Sequence, residues 1–215
     1  MVTNLRNKNI LITAGPTWVA IDKVRVISNI ASGKTGFLLS EELKKSGARV
    51  TLVLGPVGEY HRPRQVKIID YRYFGELEGI LSKEIKTGKY DILIHAAAVS
   101  DFRPAVDLGV KIPSSKKAFN LKLAPTAKLI EKIKKLDPDI FLVGFKLQPQ
   151  ACQRSLLKNA RGLIRKSRAD LVVANTFNGE AYRAFIMDSK HICASVSDKK
   201  AMARKLVEVL ESIFK

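Results

Sequence analysis

Short apolar runs recur along this chain, and amphipathic segments separate them. Each run ends at glycine, proline or a polar turn, and each has the length of a buried strand rather than that of a membrane helix. Because parallel strands need crossover helices, the alternation predicts an α/β, Rossmann-like fold of three layers with a mostly parallel central sheet. The predicted strands are 9–14, 49–54, 66–70, 91–98, 139–145 and 170–174. The predicted helices are 33–46, 74–86, 150–166 and 126–135, the last with Thr126 as its N-cap.

Two segments depart from that alternation. Near the end of the chain, 184–187 and 192–196 predict an antiparallel hairpin, followed by a helix that Asp198 would cap. Residues 103–118 contain prolines, a glycine and a polar, basic cluster, so we interpret this segment as a mobile loop or flap. No long linker divides the chain, and we expect 1–215 to form a single domain.

The charge of the chain narrows its possible partners. It has 38 lysine and arginine residues against 20 acidic ones, a formal net charge of +18, which attracts anions such as phosphorylated small molecules or nucleic acid. The basic residues are spread over the whole chain and are not interleaved with aromatic ones, so specific nucleic-acid binding is not expected. Cys152 and Cys193 lack metal-ligand spacing, and we predict free thiols and no metal site. The polar start is not that of a signal peptide, and together with the free thiols this favours the cytoplasm. No apolar run has the length of a membrane helix.

Polar or glycine-containing segments follow four of the predicted strands, at 14–17, 96–103, 144–148 and 175–179. Ligands of open parallel sheets bind at the carboxyl ends of the strands. These four segments therefore predict a nucleotide site at one edge of the sheet.

The stretch 21–36 places small residues and glycines directly before a helix, where backbone N–H groups can approach an anion. Lys34 and Thr35 match the end of the phosphate-binding P-loop motif, but Ser28 stands at the position of its first glycine. A P-loop also follows its strand directly, whereas a whole segment intervenes here. We therefore do not interpret the stretch as a P-loop, and Gly15 alone is too little for a dinucleotide-binding fingerprint.

Six sequence blocks identify a family that the chain resembles. They are ITAGPT at 12–17, IDKVRVISNIASGKTG at 21–36, AAVSDFRP at 97–104, KIPSS at 111–115, VGFKL at 143–147 and DLVVAN at 170–175. With these blocks in this order, the chain resembles phosphopantothenate–cysteine ligase, an enzyme of coenzyme A biosynthesis. Many bacterial members carry a flavin-dependent decarboxylase domain before this region, and we expect the stand-alone form here. Two departures leave the choice between CTP and ATP open: Ala31 replaces the usual serine, and 111–114 reads Lys-Ile-Pro-Ser where fused members have a lysine cluster.

The resemblance implies a two-step reaction. The carboxylate of 4′-phosphopantothenate attacks the α-phosphate of CTP or ATP, bound with Mg²⁺, and pyrophosphate leaves. The amino group of L-cysteine then attacks the acyl-nucleotidylate and releases the nucleoside monophosphate. Charge develops on oxygens in both steps, so the protein needs positioned donors and cations rather than a nucleophile of its own. The resemblance also implies a homodimer.

The resemblance assigns site roles residue by residue. Asn29 and Lys111 would be catalytic, and Arg25, Asn29 and Ala31 would bind substrate. The nucleotide-binding residues would be Gly15, Ser32, Gly33, Lys34, Ala96, Ala97, Ala98, Asp101, Lys111, Phe145, Lys146, Lys158 and Lys166.

Several of these residues also have simpler interpretations. Asn29 could cap the following helix, Lys111 could be a solvated loop lysine, and Lys158 and Lys166 could lie on a solvated helix face. Two other functions remain open. One is an NAD(P)-binding oxidoreductase, although the residues at 54–56 offer no acidic group after the second strand. The other is a basic nucleic-acid-binding module.

Overall fold

A computed structural model describes residues 5–58, 63, 65–106, 109–113 and 118–215 of the protein. Residues 107–108 and 114–117 of the predicted flap lie outside the described residues, so its mobility stays a prediction. None of the helices in the described ranges has the length and apolar character needed to cross a bilayer.

The elements follow one another in a repeated strand–helix order. In chain order they are β1 (Asn9–Ala14), β2 (Trp18–Ala20), β3 (Val26–Ser28), α1 (Lys34–Lys45), β4 (Arg49–Leu54), β5 (Lys67–Asp70), α2 (Phe74–Ile85), β6 (Ile92–His95), β7 (Phe102–Pro104), β8 (Leu123–Pro125), α3 (Leu129–Leu136), β9 (Phe141–Leu147), α4 (Gln153–Ser167), β10 (Leu171–Asn178), β11 (Ala181–Met187), β12 (Ile192–Val196) and α5 (Lys199–Ile213).

The central sheet confirms the predicted α/β fold. Its strand order is β12-β11-β10-β9-β6-β1-β4-β5. The pairs from β5 across to β10 are parallel, whereas β10–β11 and β11–β12 are antiparallel. The C-terminal hairpin is thus present, and Asp198 caps α5 by accepting the N–H of Ala201 at 2.7 Å.

Helices cover both faces of the sheet and bury its central strands, whereas the edge strands β5 and β12 stay partly exposed. Residues of α1 and α5 share one apolar core with Ile10 and Ile12 of β1. Residues of α2, α3 and α4 share the other core with Leu11. Because successive side chains of a strand point to opposite faces, a strand buried on both sides must be apolar at nearly every position. This is why the parallel strands are readable in the sequence as continuous apolar runs.

Several predicted boundaries are wrong for local reasons. The helix predicted from Thr126 begins at Leu129, because the Thr126 hydroxyl donates to the carbonyl oxygen of Ser100 at 2.6 Å instead of capping a helix. The helix predicted from 150 begins at Gln153, since Gln150 has a φ of 54°. The strand predicted over 91–98 ends at His95.

Two short ribbons project from the carboxyl edge of the sheet, and the sequence did not indicate them. The first pairs β2 with β3, and the second pairs β7 with β8. Arg103 and Pro104, assigned to the flap from sequence, therefore belong to the β7–β8 ribbon. Both ribbons lie where the predicted site residues collect.

Candidate functional site

A cleft opens at the carboxyl ends of β6 and β9, between α3 and α4. Its volume is about 690 Å³, large enough for a nucleotide. Six of the residues that the sequence assigned to nucleotide binding line it: Ala97, Asp101, Phe145, Lys146, Lys158 and Lys166.

The cleft has a surplus of positive charge. Lys128, Lys146, Lys158, Arg165 and Lys166 line it, against the acidic side chains of Asp101 and Glu131. The Lys128 ammonium group is already paired with the Asp101 carboxylate. The surplus therefore comes from β9 and α4, and it suits a polyanionic ligand.

The spacing of residues along α4 explains how this helix presents its cations. Leu156, Ala160 and Ile164 are buried against the sheet. Lys158 and Lys166 are exposed residues of the same helix, about two turns apart, and both line the cleft. The structure thus places both lysines on the cleft wall rather than on a face directed only at solvent. Arg165, which also lines the cleft, is a cation that the sequence reasoning missed.

The floor of the cleft contains a histidine that stays neutral. His95 is buried, and its Nδ1 lies 2.9 Å from Thr13 Oγ1, which also accepts the N–H of Ala97 at 3.2 Å. Burial lowers the pKa of His95 to about 4. The imidazole is therefore uncharged near neutral pH and adds nothing to the positive surplus.

Backbone hydrogen bonds join the turn after β6 to the turn after β1. The N–H of Ala96 donates to the carbonyl of Thr13, and the N–H of Ala98 donates to the carbonyl of Gly15. The carbonyl of Ala98 in turn accepts the N–H of Thr17. Ala96 and Ala98 thus use their main chain to hold the two turns together, beside the cleft wall at Ala97.

Glycines shape the neighbouring corner of the site. Gly15 has a φ of 78°, and a Cβ added to it would lie 3.1 Å from the Cα of Gly55, so the two main chains touch. Gly33, with a φ of 71°, is the N-cap of α1, and the Ser32 hydroxyl accepts the N–H of Lys34 at 3.4 Å. Because α1 packs on the opposite face of the sheet from α3 and α4, the predicted nucleotide residues fall into two groups on either side of the sheet edge.

Asn29 connects the β2–β3 ribbon to the turn after β6. Its Nδ2 donates to the carbonyl oxygens of Ala98 at 3.0 Å and Val99 at 3.1 Å. The helix-cap interpretation is wrong, since Gly33 occupies the N-cap position of α1. Ala31 is half-buried in the loop that leads from Asn29 to α1.

Asp22 is a site residue that the sequence reasoning overlooked. Its side chain is buried, and it accepts the backbone N–H groups of Val24 and Arg25 in the β2–β3 turn and of Ile112. These bonds, that from Val24 foremost, lower the pKa of the Asp22 carboxyl below its ordinary value. The only sequence signal was its place in the block at 21–36. Lys111, exposed, immediately precedes Ile112.

The described residues contain no group of three or more His, Cys, Asp or Glu side chains arranged to hold a metal ion. A Mg²⁺ ion that arrives with a nucleotide needs only one or two carboxylates, because phosphate oxygens and water supply the rest. Asp101 and Glu131 in the cleft meet that requirement.

Comparisons with known proteins agree with this geometry. Residues 5–213 match the family described as DNA/pantothenate metabolism flavoprotein C-terminal domain. The chain is 39% identical over 175 residues to a coenzyme A biosynthesis bifunctional protein CoaBC of Thermococcus kodakarensis, covering 80% of this chain and 42% of the relative. It is 32% identical over 214 residues to the protein of the same name from Borreliella burgdorferi, covering 96% and 53%. The chain therefore spans about half the length of the curated relatives it matches.

Solved structures show the same fold. The DNA/pantothenate metabolism flavoprotein of Streptococcus pneumoniae superimposes with a TM-score of 0.85 at 27% identity, covering 96% of this chain and 99% of that one. The C-terminal domain of a CoaBC protein superimposes with a TM-score of 0.79 at 24% identity, covering 98% and 97%. At this level of identity, the second comparison shows a shared fold.

Proposed function

Because the chain belongs to the DNA/pantothenate metabolism flavoprotein C-terminal domain family, we propose that it is a phosphopantothenate–cysteine ligase that acts in coenzyme A biosynthesis. The observation that carries the proposal is the cleft between α3 and α4, which combines a nucleotide-sized volume with a surplus of positive charge. The family blocks that hold Ala97 and Phe145 form its walls.

The nucleotide occupies this cleft in our proposal. Ala97 and Phe145 contact the base, and Lys146, Lys158 and Lys166, joined by Arg165, neutralise the triphosphate. Asp101 and Glu131 are the carboxylates that would hold Mg²⁺, which would withdraw charge from the phosphate oxygens. Because Ala97 is small and the Phe145 ring can contact either base, the site accommodates both CTP and ATP.

The start of α1 offers a second group of anion donors. Ser32, Gly33 and Lys34 lie at a helix N-terminus, where N–H groups and the helix dipole favour negative charge. We assign this group to phosphate oxygens. An extended ligand such as a nucleotide together with 4′-phosphopantothenate would span the sheet edge between the two groups.

The acyl chemistry falls to residues of the β2–β3 ribbon and the segment beside it. Arg25 and Ala31 contact 4′-phosphopantothenate, and Lys111 stabilises the charge that develops on the acyl-nucleotidylate. Both hydrogens of the Asn29 amide are already used by backbone carbonyls. Asn29 can therefore contact a ligand only through Oδ1, which accepts hydrogen bonds. It also acts indirectly, because it holds the turn at Ala98 in place.

The family resemblance also leads us to propose a cytoplasmic homodimer. Large apolar side chains on the two ribbons and in the loop that follows β3 are exposed in the single chain: Val24 is 63% exposed, Ile30 108% and Phe102 54%. Apolar side chains clustered on protruding ribbons are typical of a surface that another subunit covers.

The test is pyrophosphate release by the purified protein. We expect steady release with CTP or ATP only when 4′-phosphopantothenate and L-cysteine are both present. Without cysteine, release should stop at about one equivalent per site, because the acyl-nucleotidylate remains bound. No release with either nucleotide would refute the proposal.

A thermal-shift comparison distinguishes the other functions left open by the sequence. Stabilisation by NADPH but not by CTP or ATP would indicate an oxidoreductase, and stabilisation by a DNA oligomer alone would indicate a nucleic-acid-binding module.

A further inference from the structure

We propose that Asp22 is a positioning residue: together with Arg25 it clamps the backbone of Ile112 and thereby fixes where Lys111 is presented to the site. The inference rests on the proposed function, since it takes Lys111 as a catalytic group. It concerns the described segment 109–113 and the β2–β3 ribbon that faces it.

The two oxygens of the Asp22 carboxylate serve different segments. Oδ1 accepts the N–H groups of Val24 and Arg25 at 2.9 and 2.8 Å, which closes the turn between β2 and β3. Oδ2 accepts the N–H of Ile112 at 3.1 Å, 90 residues away in sequence. Oδ1 alone therefore closes the turn, whereas Oδ2 binds the remote segment at Ile112.

Arg25 completes the clamp by binding the carbonyl side of Ile112. Its guanidinium group donates to Asp22 Oδ2 at 3.3 Å and to the carbonyl oxygen of Ile112 at 3.4 Å. Both polar backbone groups of Ile112 are thus held by side chains of the ribbon. A residue fixed at its N–H and its carbonyl has little freedom left in its two backbone dihedrals.

Burial distinguishes Ile112 from the rest of the described segment. Ile112 is only 6% exposed, whereas the other described residues of 109–113 are all exposed. Lys111 is joined directly to the anchored residue, so its Cα cannot move far while the clamp holds. Loss of the clamp would release the residue next to Lys111, so the position of Lys111 would be less well defined.

The clamp also couples two proposed functions. Arg25 lies in the block that the family resemblance connects with substrate binding, and its side chain is 44% exposed. A substrate phosphate that binds Arg25 would therefore act on the residue that holds Ile112. Substrate binding and the placement of Lys111 are connected through a single guanidinium group.

The decisive variant is Asp22→Asn. The amide keeps one oxygen to accept the N–H groups of Val24 and Arg25, so the turn is retained. Its NH₂ group can only donate, and it would face the N–H of Ile112 and the Arg25 guanidinium. Asp188→Asn is the matched control, because Asp188 closes the β11–β12 turn by accepting the N–H groups of Lys190 and His191 and has no part in the site.

We expect Asp22→Asn to expose the Ile112 amide to hydrogen exchange and to lower kcat roughly tenfold to a hundredfold, the effect of losing bonds to a charged group. KM for the nucleotide should stay within about twofold of wild type, because the α3–α4 cleft is untouched. Asp188→Asn should change neither quantity.

Three outcomes would overturn the inference or part of it. If the Ile112 amide stays protected in Asp22→Asn, the clamp does not hold the segment. If protection is lost while kcat is unchanged, the clamp does not position a catalytic group. If kcat and nucleotide KM change together with the melting temperature, Asp22 has only a structural role. A wild-type protein without turnover would refute the proposed function, and the exchange comparison would still decide whether Asp22 fixes Ile112.

Discussion

Gly36 lies in the first turn of α1, where the helix crosses the end of β1. A Cβ added at this position would lie 2.2 Å from the Cβ of Ala14, a residue that is 1% exposed. Carbon atoms in contact prefer a separation of about 3.5–4.0 Å, so Gly36→Ala requires the helix to move outward by more than about 1 Å. Neither Cβ can rotate away, because both are attached directly to the main chain.

The overpacking caused by Gly36→Ala costs more free energy than the better helix propensity of alanine returns. Overpacking of this kind costs about 1–3 kcal/mol, and the higher helix propensity of alanine returns at most about 1 kcal/mol. We therefore expect Gly36→Ala to lower the free energy of unfolding by about 1–2 kcal/mol. Since Gly33 and Lys34 lie one turn away, phosphate binding at the start of α1 should weaken with it.

Gly79 of α2 provides the matched control. A Cβ added there would meet nothing within 4 Å, so Gly79→Ala should raise the free energy of unfolding by about 0.4–1 kcal/mol. Urea unfolding of the two variants beside wild type measures both effects. If Gly36→Ala were as stable as Gly79→Ala, the close approach of α1 to β1 would be wrong.

Three further variants test the site. Asn29→Asp would place a carboxylate beside the carbonyl oxygens of Ala98 and Val99, so we expect turnover to fall and hydrogen exchange of that turn to rise; wild-type exchange would argue against the contact. Lys158→Ala should raise KM for the nucleotide by roughly threefold to tenfold at unchanged melting temperature, and an unchanged KM would place the triphosphate elsewhere. Burial lowers the pKa of His95 from 6.5 to about 4, so the neutral form is favoured in the folded state. The free energy of unfolding should accordingly fall as the pH drops from about 6.5 to about 4, by up to about 3 kcal/mol. His95→Gln should flatten that part of the pH dependence in urea titrations, and a curve identical to wild type would contradict it.

The parallel sheet was predictable because burial on both faces leaves a continuous apolar signal. The two ribbons were not, since strands of three residues such as Trp18–Ala20 carry too few positions for a pattern. The predicted start of a helix was wrong where the expected capping side chain binds a partner elsewhere in the fold. Thr126 is a good cap in isolation, but its hydroxyl is used by Ser100.

The edge of the sheet at which the candidate residues lie was predictable from the sequence, whereas their arrangement around that edge was not. The sequence blocks that contain Ala97 and Phe145 meet at one cleft, because the carboxyl ends of parallel strands lie at one edge of the sheet. Lys158, which lies outside the blocks, lines the same cleft. The blocks could not show that Gly33 lies across the sheet from that cleft, since this depends on which face each crossover helix covers. Asp22 was missed because its partner, Ile112, is remote in sequence.

The contact between Gly15 and Gly55 limits how this site can change. Two main chains meet there with no side chain between them, and a Cβ on Gly55 would lie 2.2 Å from the carbonyl oxygen of Pro16. Repacking of neighbours cannot relieve such a clash, because main-chain positions are fixed by the sheet itself. We therefore expect changes in ligand preference to arise more readily on the two ribbons, which form small sheets of their own beside the central one. Even there the positions differ, because the N–H of Trp18 donates to the carbonyl of Arg72 and joins the first ribbon to the main body of the fold.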